Sequence, residues 1–72
     1  MKQMNWKAAK ATRVLSALER IGWRIKRQQG SHRTLERPGW LDFVFAYHDR
    51  VEIGPIALKK LALKTGLTPD DL

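Results

Sequence analysis

Apolar positions along the chain recur first at helical and then at strand spacing. From about Ala8, the residues Ala11, Val14, Leu15, Leu18 and Ile21 return every three or four positions, while Arg13, Ser16, Glu19 and Arg20 fall elsewhere on the wheel. This predicts an amphipathic helix, with Gly22 as its C-terminal stop. Trp23 to Gln28 then alternates, with Trp23 and Ile25 on one face and Arg24, Lys26 and Gln28 on the other, the period of a half-buried strand. Gly30-Ser31 marks a turn. In His32 to Arg37, Arg33, Leu35 and Arg37 share one face and His32, Thr34 and Glu36 the other. Leu35 belongs to the core, so His32 faces outward. Leu41 to Tyr47 reads as a third strand with Leu41, Phe43, Phe45 and Tyr47 on one side. A loop of odd length, Pro38-Gly39-Trp40, sets Leu35 opposite Phe43 and gathers His32, Thr34, Val44, Ala46 and His48 on the open face.

The remaining segments frame these strands. Met1 to Ala9 has no clear period and reads as a lead-in, with Trp6 covering a core edge. His48 to Glu52 carries alternating charges and reads as a loop. Gly54-Pro55 opens a second helix whose core stripe is Leu58, Leu61, Ala62 and Thr65, and Gly66 ends it. Thr68-Pro69-Asp70-Asp71 has the form of a capped final turn. Ile56 and Leu63 fall outside the stripe, either as a partner-binding patch or as two isolated surface apolars. The expected architecture is α+β, in the order α-β-β-β-α. It is a two-layer sandwich with a three-stranded antiparallel sheet and both helices on one face.

Length and charge narrow the function. A chain of 72 residues is expected to form one domain, 1–72, since its core is too small to divide. Fourteen Lys and Arg against seven Asp and Glu leave a net charge of +7, which favours a polyanionic partner, RNA or DNA first. The plain alternative is a charge serving only solubility. There is no cysteine, so disulfides and thiolate zinc sites are excluded, and two histidines with seven carboxylates argue against a dedicated metal site. No run has the length of a signal peptide or membrane span, so the expected location is cytoplasmic, without a membrane partner.

The run Arg27-Gln28-Gln29-Gly30-Ser31-His32, after an amphipathic helix ending in Gly22-Trp23, resembles the HicA toxins, also called the YcfA-like family. His48 after the third strand, Glu52-Ile53-Gly54, Leu58-Lys59-Lys60-Leu61 and Thr65-Gly66-Leu67-Thr68 extend the resemblance over roughly 11–72. One departure is Ala46, where many members have proline two residues before the second histidine. The resemblance implies a fold like the double-stranded RNA-binding domain. It also implies an mRNA interferase, the toxin of a type II toxin-antitoxin pair, neutralised by a HicB antitoxin that covers the active face. His32 matches the family's catalytic histidine, and Gly30 and Ser31 the two residues before it.

Metal-independent RNA cleavage needs the 2'-hydroxyl deprotonated, the leaving 5'-oxygen protonated and the phosphorane charge stabilised. Histidine suits both proton steps because its ordinary pKa, about 6.5, lies near working pH. His32 is the candidate general acid and base, no cofactor being required, and its alternative role is a strand-face histidine that only contacts phosphate. Lys26, Arg27 and Arg33 are the nearby cations for the phosphate. Lys26 shares the open face, whereas Arg33 points towards the helices. His48 is a candidate second proton-transfer group by parity, or else a loop histidine that fixes the strand's end. Ser31 donates a hydrogen bond to phosphate or is simply a turn residue. Trp40 stacks on a base or packs over the hairpin end. Lys59 and Lys60, with Lys64, contact RNA phosphates or form a solvated face. A non-catalytic RNA-binding module using the same sheet is the competing function, and a protein-interaction domain working through Ile56 and Leu63 a third.

Overall fold

The computed structural model describes residues 5–72. Its elements run β1 (Ala9–Lys10), α1 (Ala11–Arg20), β2 (Arg24–Gln29), β3 (His32–Glu36), β4 (Phe43–Phe45), β5 (Glu52–Ile53) and α2 (Pro55–Thr65), followed by a 3-10 turn at Pro69–Asp71. The strands β2, β3 and β4 form an antiparallel sheet in that order, and β1 pairs separately with β5. The expected α+β fold with two helices and a three-stranded antiparallel sheet is present.

The helix α1 buries Ala11, Val14 and Leu18 of the stripe read from its periodicity, adds Ala17, and keeps Leu15 and Ile21 partly buried against the core. No side chain caps its start; instead the amides of Ala11 and Thr12 donate to the carbonyls of Val51 (2.8 Å) and Asp49 (3.4 Å), so the 49–51 loop satisfies donors that a helix otherwise leaves open. At its other end Gly22 N–H donates to Glu19 O at 3.1 Å and Trp23 N–H to Leu18 O at 3.0 Å, the paired bonds of a Schellman stop. Trp23 is thereby driven into the core. Its indole Nε1–H donates to Thr65 O at 3.0 Å, joining the C-terminal ends of both helices. Thr65 is itself buried, and its hydroxyl donates to Leu61 O at 2.9 Å.

Leu35 and Phe45 on the sheet pack with Val14 and Leu18 of α1, Leu58 and Leu61 of α2, and with Trp23, Ile53 and Leu67. Both helices therefore cover one face, and the other is open. The final turn is held by Asp71 Oδ2, which accepts from Thr68 N at 2.7 Å and from the Thr68 hydroxyl at 2.9 Å. Trp6 packs against the core edge as expected; the part of the lead-in at residues 1–4 lies outside the described residues.

Three features differ from the sequence reading. Ala9 belongs to β1 and Glu52 to β5, so the lead-in and the charged loop contribute a two-residue ladder, with Ala9 opposite Ile53 and Lys10 opposite Glu52. Two-residue strands are too short to generate a detectable alternation. The third strand is limited to Phe43–Phe45, and Leu41, placed on the core face by parity, is 89% exposed. The cause is the reversal after Pro38: Trp40 N–H closes a turn on Arg37 O at 3.0 Å, and residues 41 and 42 are still unpaired. The strand β2 is bulged, with Ile25 opposite Leu35 but Arg27 opposite Thr34, leaving Lys26 as the extra residue.

Candidate functional site

The bulge decides what the open face contains. Before it, Ile25 lies on the helix side with Leu35; after it, Arg27 joins Thr34, Gln28 joins Arg33 and Gln29 joins His32. Arg33 and Leu35 share the helix side, so Arg27 and Gln29, not Gln28, accompany His32 and Thr34 on the open face. The pairs Leu35 with Phe43 and Thr34 with Val44 bear out the odd-loop register and add Val44 to that face.

A two-residue hairpin presents His32. Gln29 and His32 form the closing pair, and Gly30, the first turn residue, has φ +59°. Glycine in that first position with an ordinary second residue is the pattern of a type II' turn, whose twist matches the flanking strands. A Cβ on Gly30 would meet nothing within 4 Å, so the requirement for glycine is conformational and not a matter of space. The Gln28 side-chain amide donates to Gly30 O at 3.1 Å and stiffens the turn. His32 opens β3 with its side chain exposed.

The basic residues of this face differ in their partners. Arg24 Nε donates to Glu36 Oε2 at 2.8 Å, and Lys26 Nζ to Asp42 Oδ2 at 2.9 Å, both exposed pairs across the sheet. Arg27 has no ion pair or hydrogen bond among the described residues. It lies across the ladder and two residues along from His32, a diagonal spacing of about 7–8 Å that an arginine side chain spans. Among the described residues the open face thus offers an unneutralised guanidinium, Arg27, beside the accessible imidazole of His32.

Arg33 takes the opposite side, as its parity required. It donates through Nη2 to Asp49 Oδ1 at 2.8 Å and its side chain is only 13% exposed. Gly30, Ser31, Arg33 and His48 line one shallow groove with Tyr47 and Asp49; His32 is not in its walls. Because β4 ends at Phe45, the alternation that carried His48 to the open face stops two residues short of it. His48 sits instead in a turn, its carbonyl accepting from Val51 N at 3.0 Å. Lys59 and Lys60 are exposed on α2, in the helical layer and away from the open face.

Trp40 packs edge-on against Trp23, with ring centroids 6.0 Å apart, and the Arg37 guanidinium covers it at 5.1 Å. Trp40 thus packs over the hairpin end while 42% of its surface stays exposed. The carboxylates Glu36, Asp42 and Asp49 were not singled out from the sequence. For Asp42 a signal existed, since it has the parity of Val44; its partner became identifiable only with the bulge. Among the described residues no three or more His, Cys, Asp or Glu cluster as metal ligands, and no helix is long and apolar enough to cross a membrane.

Comparison with protein families gives a match over residues 11–67 to the family described as HicA toxin of bacterial toxin-antitoxin. No curated protein and no solved structure matches the chain.

Proposed function

The chain belongs to the HicA toxin family, the toxin side of a bacterial toxin-antitoxin pair with an antitoxin as partner, and from that premise we propose that it is an RNA endonuclease using His32. The observation that carries this reading is the exposed His32 on the open sheet face, diagonal to Arg27, which no carboxylate neutralises. Neutral imidazole takes the 2'-hydroxyl proton, the 2'-oxygen bonds to phosphorus, and the bond from phosphorus to the 5'-oxygen breaks. The imidazolium returns the proton to that 5'-oxygen. Products are a 2',3'-cyclic phosphate and a 5'-hydroxyl, with histidine regenerated and no metal or cofactor consumed. Positioned acid-base help of this kind is worth roughly a hundred- to ten-thousand-fold.

Arg27 holds the phosphate in this mechanism, and Lys26 joins it when RNA displaces Asp42. Gly30 and Ser31 set the turn that aims His32. Arg33 acts through its Asp49 pair, tying the start of β3 to the 48–51 turn. His48, in the neighbouring groove, contacts an extended RNA beyond the scissile phosphate, and Lys59 and Lys60 add phosphate contacts from the helical layer. A HicB-type antitoxin neutralises the toxin by covering the open face, and the reaction takes place in the cytoplasm on mRNA.

The test is induced expression of the wild-type chain and of His32→Ala, with growth and RNA integrity followed and both folds checked by circular dichroism. Growth arrest and RNA breakdown in the wild type alone are expected. If both chains fold, bind RNA and leave it intact, the protein is an RNA-binding module and the nuclease reading falls.

A further inference from the structure

The edge strand β4 and helix α2 enclose an apolar groove along the sheet's edge that His32 does not line and that shares only Val44 with the open face. Phe43, Val44, Ala46 and Tyr47 form one wall, and Ile56 with Leu61 the other. Val44 is 52% exposed and Ile56 75%, so both walls include apolar side chains open to water. Among the described residues β4 pairs only with β3, and its outer edge has no strand beside it. In an antiparallel ladder alternate backbone groups face away from the existing partner, and such an edge is a template for another strand. Lys60 and Lys64 rim the groove, and neither has an ion pair or hydrogen bond among the described residues.

We propose that this groove binds an extended acidic-apolar polypeptide segment, added as a strand to the β4 edge, with its apolar side chains beside Val44 on one face and its carboxylates on Lys60 and Lys64 on the other. Three features select that occupant. An unpaired strand edge is satisfied by another backbone, and nucleic acid has no matching ladder of amides and carbonyls. The walls are mainly apolar, which suits alternate side chains of a strand better than a phosphate chain. A second copy would bring a second charge of +7 and lysines against lysines, whereas an acidic segment neutralises them. The proton-transfer chemistry uses none of the groove's residues, and the RNA-cleaving reading takes from it only Lys60, as an outlying phosphate contact.

The experiment follows the backbone amides of the labelled full chain by NMR while a short peptide alternating valine and glutamate is added. Shifts along 43–47 and 56–64 are expected, with those of His32 and Thr34 unmoved. The double variant Lys60→Glu, Lys64→Glu, on an exposed helix face, should weaken this peptide about tenfold and acquire affinity for the valine-lysine counterpart. His32→Ala should bind the peptide as the wild type does, so failure here and failure of the nuclease reading are separable. The proposal is overturned if the valine-glutamate peptide does not bind the folded chain, or if its affinity ignores the lysine reversal. It is equally overturned if an RNA oligonucleotide moves the β4 amides 43–47 as the peptide does, or if sedimentation finds a dimer that the Lys60→Glu, Lys64→Glu variant alters; absence of every binder would identify the lysines as guards of a bare edge.

Discussion

The unequal pairing of the open-face cations yields a quantitative expectation for RNA binding. Arg24 and Lys26 are held at 2.8 and 2.9 Å by Glu36 and Asp42, whereas Arg27 has no carboxylate to leave. Arg27→Ala removes a cation free to meet phosphate. For single-stranded nucleic acid each phosphate contact contributes about 0.7 to the slope of log K against log salt, so without one contact binding falls about two- to threefold less over a fourfold rise in salt. Arg24→Ala should have a smaller effect, because Arg24 must first abandon Glu36. That exposed pair is worth under about 1 kcal/mol, enough to reduce engagement up to roughly fivefold. Glu36→Gln should act in the opposite direction, releasing Arg24 and steepening the slope by up to about 0.7. The assay is fluorescence anisotropy of a labelled single-stranded RNA, titrated with the His32→Ala chain from about 50 to 200 mM salt so that cleavage does not intervene. Equal slopes for Arg24→Ala and Arg27→Ala, or an unchanged slope in Glu36→Gln, would refute the assignment of Arg27 as the free phosphate contact.

Other expectations concern the framework that holds the face. Gly66 has φ +77°, and a Cβ there would lie 2.9 Å from Trp40 Cη2, so Gly66→Ala should cost about 2–3 kcal/mol from backbone strain plus the disturbed Trp23–Trp40 contact. Gly30→Ala meets strain without a clash and should cost about 1–2 kcal/mol, a difference readable in urea midpoints. Trp23→Phe leaves the Thr65 carbonyl without its indole donor and should cost about 1–3 kcal/mol by the same measurement. Leu63→Gln, at a site 81% exposed, should stay within about 0.5 kcal/mol of wild type.

Much of this molecule is legible in its residue pattern where an element is long enough to repeat. The α1 stripe of Ala11, Val14 and Leu18, the α2 stripe of Leu58, Leu61 and Thr65, and the pairing of Leu35 with Phe43 follow from period and loop parity. Periodicity fails where elements are shorter than their own repeat, as in β1 and β5, whose two residues each are paired by tertiary contact and not by propensity. It fails also at Leu41, since the same residue type serves a strand face or a wide turn. For the site, the exposed side of β3 was readable from the demand that Leu35 be buried. The position of His48 was not, because it depended on β4 continuing past Phe45.

The bulge at Lys26 connects that partial legibility to function. Strict alternation from Ile25 would bring Arg24, Lys26 and Gln28 to the open face and turn Arg27 to the opposite side, away from His32. The extra residue resets the parity, so Arg27 and Gln29 stand across from Thr34 and His32. One inserted position therefore converts an open face whose other two cations are both neutralised into one with a free cation diagonal to the histidine. It also leaves Lys26 able to reach across β3 to Asp42, bracing the sheet where the ladder is interrupted. A local irregularity that costs one regular backbone pair thus sets the electrostatics of the face on which the proposed chemistry depends.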